Sequence, residues 1–181
     1  MTRFTLPGLE DVHPDARPTL DAAKSALGFT PNLHRLMAIN PWVLAGWVGL
    51  QSNLAHTLDL KTRDAIALAV TEVNDCDYCR AAHAYGARML SKLTAEEIAL
   101  NRLGQSSDVR RGAAARFARL VVQQRGKVSD EDLADVRAVG WSDSEIIAII
   151  ALGCQYLFTN FLNNVADTPA DFPSLDGASA A

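Results

Sequence analysis

Near the middle of the chain, Cys76, Cys79 and His83 have the types and spacing of a thiol redox centre. They lie in the run Asp75-Cys76-Asp77-Tyr78-Cys79-Arg80-Ala81-Ala82-His83. A thiol attacks an O–O bond as its thiolate, and an imidazole within reach can take the proton or stabilise the charge. Attack leaves a sulfenic acid, which survives further oxidant only if a second thiol condenses with it. On one helix Cys79 and His83 would sit about 40° apart in phase and one turn apart in rise, with Cys76 about 60° from Cys79. All three then share a face. Residues three apart on a helix also fall within the Cα separations that a disulfide spans.

The elements that must hold these residues read as helices. Asn74-Asp75 can end one helix and cap the next. With Asp75 as N-cap, Cys76 is the first helical residue and Cys79 the fourth, near the positive end of the helix dipole. Elsewhere Thr94 with Glu97 and Ser142 with Glu145 read as capping boxes, and Ser129 with Asp132 as a weaker one. Gly104, Gly126 and Gly140 stand where helices should stop. No Asn-Gly or Asp-Gly lies between alternating apolar residues, so no hairpin is signalled. The pattern predicts helices near 19–27, 31–39, 41–56, 61–73, 76–91, 94–103, 107–125, 129–139 and 142–166. Pro31 and Pro41 fall in first turns. The stretch 146–152 is apolar all round and predicts a fully buried helix, with Cys154 as a small buried hydrophobe. The expected fold is an all-α, single-domain bundle of about eight or nine helices over 19–168, with an arm at 1–18 and an irregular tail at 169–181.

Composition narrows the function. The 181 residues suit one core-forming domain, and the net charge of −4 argues against a basic nucleic-acid face. Residues 1–18 contain no apolar segment of signal-peptide type, and the longest strongly apolar run, 146–154, is half of what a bilayer requires. A soluble, cytoplasmic protein is expected, with neither membrane nor nucleic acid as partner. Three cysteines, two of them in a C-x-x-C, do not make a secreted disulfide framework. Zinc is the sharper rival for the pair, but it needs a fourth ligand. There is no second C-x-x-C and no H-x-x-x-H, and His13, His34 and His56 are scattered. Neither a metal nor another cofactor is expected. Trp42 and Trp47 read as core or subunit interface.

C-x-x-C-x-x-x-H at a helix start resembles the alkylhydroperoxidase D-like branch of the carboxymuconolactone decarboxylase superfamily. The flanks resemble its peroxidase-related members too: Pro31-Asn32-Leu33, the run from Leu60 through Asp64 to Val70, Phe158-Thr159-Asn160, Asn163-Asn164-Val165-Ala166-Asp167-Thr168 and Asp171-Phe172-Pro173. The likeness spans roughly residues 30 to 173. It implies an all-helical oligomer, commonly a trimer or hexamer, that reduces hydroperoxides with an external thiol or dithiol donor in antioxidant defence. It also implies that Cys79 is peroxidatic, that Cys76 resolves it and that His83 activates it. The family tends to place a glutamate proton relay twelve residues before the first cysteine, where this chain has Asp64. Glu72 is a local rival; the two are about 80° apart in phase and about 12 Å in rise, so they cannot easily serve one spot. Where some members carry a histidine between the cysteines this chain has Tyr78, a possible donor to bound peroxide or a lid on the helix end. Two other readings stay open. Lactone decarboxylation uses acid and base residues and needs no C-x-x-C. A redox-sensing oligomeric binding protein would oxidise once where an enzyme turns over.

Overall fold

The computed structural model describes residues 2–172, and among them every regular element is helical. A 3-10 turn at Pro14–Ala16 leads into α1 (Arg17–Leu27), α2 (Asn32–Met37), α3 (Pro41–Leu54), α4 (Leu60–Val73), α5 (Asp77–Met89), α6 (Ala95–Arg102), α7 (Val109–Gln123), α8 (Asp130–Ala138) and α9 (Asp143–Ala166). The all-α expectation therefore holds. The punctuation behind it is visible in detail. Ser142 with Glu145, and also Ser129 with Asp132, form complete reciprocal capping boxes. Thr94 caps α6 by accepting from the Glu97 amide, but the other half of that predicted box is missing. The Glu97 carboxylate instead accepts hydrogen bonds from Ser106 and Ser107, tying α6 to the entry of α7.

Helix α4 is the axis of the molecule. Every residue from Ala65 to Val70 is at most 1% exposed, because α5, α6, α7 and α9 all pack against it. Ala65 and Ala69 meet Ala115 of α7, and these small side chains let the two backbones approach closely. Ile66 and Val70 join Phe117, Ile149 and Leu152 in the main core. A second core lies beside it. There Val12, Ala16 and Leu20 pack with Leu33, Leu44 and Trp47 around Cys76, Tyr78 and Cys79. The N-terminal segment thus seals the cysteine end of the bundle, and α1 begins at Arg17, two residues before the expected start. Thr2 Oγ1 and the Arg3 amide both donate to the Ala166 carbonyl at the end of α9. Residues 169–172 are irregular, as expected; the rest of the predicted tail, including Pro173, lies outside the described residues.

Two sequence expectations fail on α9. The stretch 146–152 is not buried all round: Ile146, Ile149 and Leu152 are buried, whereas Ile147 is 67% and Ile150 36% exposed. Cys154 is exposed as well. The reason is geometric. A helix laid on α4 and α7 from one side covers only that side, and apolar composition does not say which face meets the core. By length and composition α9 could cross a membrane, yet its inner face is packed inside the bundle. The two tryptophans also part company, Trp47 buried at 7% and Trp42 exposed at 73%.

Candidate active site

The cysteines sit at the break between α4 and α5. Asn74 is the C-cap of α4, and Asp75 follows in the left-handed region at φ 50°, a conformation that Asp tolerates better than most residues. Arg80 donates to the Asp75 carboxylate and also to Asp77 and Glu72. That arginine draws the Asp75 side chain away from the helix end, so Asp75 is not the N-cap. Cys76 is: its Sγ accepts from the Cys79 amide at 3.4 Å. Cys79 is accordingly the third helical residue, still in the first turn, and Cys76 stands just outside the helix.

Both are free thiols, 0% and 2% exposed. The Cys79 sulfur is ringed by donors. Asn163 Nδ2 donates to it at 3.2 Å, and Thr159 and Asn160 of α9 lie near enough to favour its ionised form. Asn160 is itself fixed, donating to Thr71 Oγ1 at 3.2 Å and accepting from Asn74 Nδ2 at 2.9 Å. The Cys76 S–H hydrogen bond to Cys79, helped by these α9 donors, pulls the Cys79 thiol below its ordinary range against the effect of burial. The same hydrogen bond, with burial and the charge on Cys79, pushes Cys76 up. Of the two, Cys79 is therefore the one whose thiolate its surroundings favour, and Cys76 the one held as thiol.

His83 lines a cavity of about 130 Å³ together with Cys79, Tyr78, His34, Trp47, Gln155 and Tyr156. Its ring meets Tyr156 edge-on at 5.1 Å, and burial pushes its pKa down to about 4. It is neutral at pH 7 and able to accept a proton. Among the described residues no hydrogen bond joins it to Cys79; the two share the cavity. The Tyr78 hydroxyl accepts from the Leu33 amide at 3.2 Å, which ties the C-x-x-C to α2, and burial raises its phenol above the ordinary range. Asp64 accepts a hydrogen bond from Ser91, and burial raises its carboxyl. It is close enough to Tyr156 for its charge to add to the effect of burial on that phenol. Glu72 is elsewhere. It accepts from Arg102 at 2.9 Å and Arg80 at 3.3 Å, and these arginines hold its carboxyl low despite some burial. The structure thus gathers Cys79, Tyr78 and His83 at one cavity, with Cys76 buried against Cys79 but outside the cavity lining. Asp64 stands behind Tyr156, and Glu72 lies in an ion-pair cluster at the α4–α5 junction.

Several site residues were given no role at the site in the sequence reading. Gln155, Thr159 and Asn163 recur at four-residue intervals along an apolar helix, which puts them on one face. That polar stripe was the available signal. His34, in the run Pro31-Asn32-Leu33-His34, gave none beyond its neighbours. Among the described residues no group of three or more His, Cys, Asp or Glu side chains is placed to hold a metal ion.

Residues 41–124 match the model of the carboxymuconolactone decarboxylase family. No curated protein matches the sequence. Solved structures match the fold over nearly the whole chain. One is an alkylhydroperoxidase AhpD core, an uncharacterized peroxidase-related protein from Ralstonia eutropha JMP134, with 24% identity and a TM-score of 0.83 over 94% of this chain and 92% of that one. Another uncharacterized peroxidase-related protein, from Silicibacter sp. TM1040, has 21% identity and a TM-score of 0.80 over 93% and 91%. The debrominase Bmp8, in complex with 2,3,4-tribromopyrrole, has 20% identity and a TM-score of 0.77 over 94% of each chain.

Proposed function

We propose that this chain, which belongs to the carboxymuconolactone decarboxylase superfamily and has the alkylhydroperoxidase D-like fold, reduces hydroperoxides by a dithiol–disulfide cycle. The observation that carries this reading is the placement of the C-x-x-C: Cys79 lines the cavity with His83 and takes a hydrogen bond from Asn163 at 3.2 Å, and Cys76 stands against it as a second free thiol. The Cys79 sulfur attacks the terminal oxygen of the hydroperoxide. An S–O bond forms, the O–O bond breaks, and the departing oxygen takes up the proton first lost by Cys79 to leave as an alcohol. His83, neutral at rest, takes that proton as the sulfur attacks and passes it to the departing oxygen. Cys76 then condenses with the sulfenic acid, expelling water and forming the disulfide. An external thiol or dithiol supplies the two electrons that restore both thiols.

We assign the acidic relay to Asp64, whose charge is felt at Tyr156 beside His83, because Glu72 is an ion-pair partner of Arg80 and Arg102. Tyr78 positions α2 through its bond to Leu33. The setting is a reducing cytoplasm and the role antioxidant defence, with the chain working as a homo-oligomer that covers the exposed face of α9.

The order of attack tests the proposal. Cys79→Ser is expected to abolish peroxide consumption. Cys76→Ser is expected to react once and stall as a sulfenic acid that dimedone traps. If Cys76→Ser cannot react at all, the two roles are reversed. If neither variant differs from wild type, the cycle is wrong.

A second reading is favoured by the cavity itself, which is close in volume to the ~150 Å³ that accommodates benzene and is lined by aromatic rings. The same dithiol could supply two electrons to a small halogenated ring, as a debrominase of this fold would require. Bromide release from tribromopyrrole with a dithiol donor, without peroxide consumption, would select it.

A further inference from the structure

We infer that His34 is a second imidazole of the site, one that binds the departing oxygen of the hydroperoxide and stabilises it while the O–O bond breaks. The inference rests on the peroxidase reading and adds a residue and a substrate class to it. His34 comes from α2, yet its ring lines the same cavity as Cys79 and His83. Its Nδ1 is buried and has no hydrogen-bond partner. A buried polar atom left unpaired is costly, so its persistence points to a partner that arrives from outside the fold. Two further lining residues repeat the observation. Trp47 Nε1 and Gln155 Oε1 are also buried without partners, in side chains 7% and 3% exposed. One is a donor and the other an acceptor, which suits a ligand such as a hydroperoxide that offers both.

The ring is held in place. Trp47 meets it edge-on at 5.2 Å. The α2 backbone on which it rides is tied to the C-x-x-C by the Leu33 to Tyr78 hydrogen bond, and Arg35 anchors the same helix to the Pro7 carbonyl at 2.9 Å. His34 and Gln51 also line an outer cleft against α1 and α3, so they form the partition between that cleft and the inner cavity.

The chemistry requires such a group. When the sulfur attacks the terminal oxygen, the electron pair of the O–O bond moves to the inner oxygen, which develops alkoxide charge before the proton held by His83 reaches it. A neutral imidazole N–H aimed at that oxygen stabilises it without delivering a full charge to the buried site. Burial keeps His34 in that neutral form by lowering its pKa to about 4. At about 130 Å³ the cavity takes a compact hydroperoxide, not a long acyl chain.

The test compares two peroxides by leaving group. tert-Butyl hydroperoxide expels a strongly basic alkoxide, and peracetic acid expels acetate, which needs little stabilisation. Stopped-flow oxidation of the reduced protein is followed in wild type, His34→Leu and His34→Gln. His34→Leu is expected to slow tert-butyl hydroperoxide by about 100-fold and peracetic acid by no more than about threefold. His34→Gln, which keeps a donor, should recover part of the loss. Peracetic acid reduction and Cys79 alkylation by iodoacetamide report whether the variants retain a folded site; should His34→Leu fail them, His34→Gln alone carries the comparison. Equal slowing of both peroxides, or of neither, overturns the role of His34 and leaves the peroxidase reading standing. A wild-type protein that consumes neither peroxide overturns the peroxidase reading, and this inference with it.

Discussion

Helix α9 presents two faces that reverse the usual arrangement. Toward the inside, Gln155, Thr159, Asn160 and Asn163 are all at most 4% exposed; toward the outside, Ile147, Phe158, Phe161 and Val165 are all at least 42% exposed. Burying amides and hydroxyls is costly unless each finds a partner. Asn160 and Asn163 find theirs in Thr71, Asn74 and the Cys79 sulfur, and Thr159 in the Tyr156 carbonyl, whereas Gln155 Oε1 finds none within the fold. Leaving aromatic and branched side chains in water forfeits about 25 cal/mol per Å² of apolar surface, a loss recovered when another surface covers them. The inner face is therefore read as equipment for the thiols, and the outer face is where the proposed homo-oligomer would form its contact.

The largest expected effect lies on the outer face. Phe161→Glu should convert an oligomer to a monomer in sedimentation velocity at micromolar concentration, while Cys79 alkylation stays within about twofold, since the thiol chemistry belongs to the other face. A wild-type protein that already sediments as a monomer would remove the outer half of the comparison. A loss of both assembly and alkylation would show that the faces are not separable.

Acid comes next, and it acts on the inner side alone. His83, packed on Tyr156 of α9, and His34 across the second core both have pKa values near 4 in the folded chain, against 6.5 for the ordinary group. Between those values the unfolded chain binds protons that the folded chain does not. Folding stability contributed by the two neutral rings is thus intact above about pH 6.5 and falls as pH drops toward 4, by roughly 3 kcal/mol per histidine. Urea melts of wild type and His83→Gln at pH 7 and pH 4.5 isolate one share. The variant should lose less stability on acidification; an equal loss in both would mean that His83 is not buried as a neutral group.

What the sequence disclosed follows from locality. C-x-x-C-x-x-x-H lies within eight residues, so one helical period was enough to place Cys79 and His83 together. Helix ends were legible because Ser129, Ser142 and their acidic partners carry their geometry in three-residue spacings. The N-cap was misplaced by one residue because Arg80, five positions on, claims Asp75. His34 and the α9 amides reach Cys79 from 45 and 84 residues away in sequence, if Leu33–Tyr78 and Asn163–Cys79 are taken as the links. No local pattern encodes such approaches. Cys154 was misread for a related reason: an apolar neighbourhood in sequence does not say which face of the helix meets the core.

The central claim is that α9 and Cys76 favour the Cys79 thiolate, and the pH profile of Cys79 alkylation by iodoacetamide, read by peptide mapping, tests it directly. In the reduced wild type the midpoint should lie below the ~8.5 of a free thiol, and Cys76 should not be modified in that range. Asn163→Leu removes one charge-assisted hydrogen bond and should shift the midpoint upward by about one unit, lowering the rate at pH 7 by about tenfold. A midpoint at or above that of a free thiol, or modification of Cys76 before Cys79, would contradict the account.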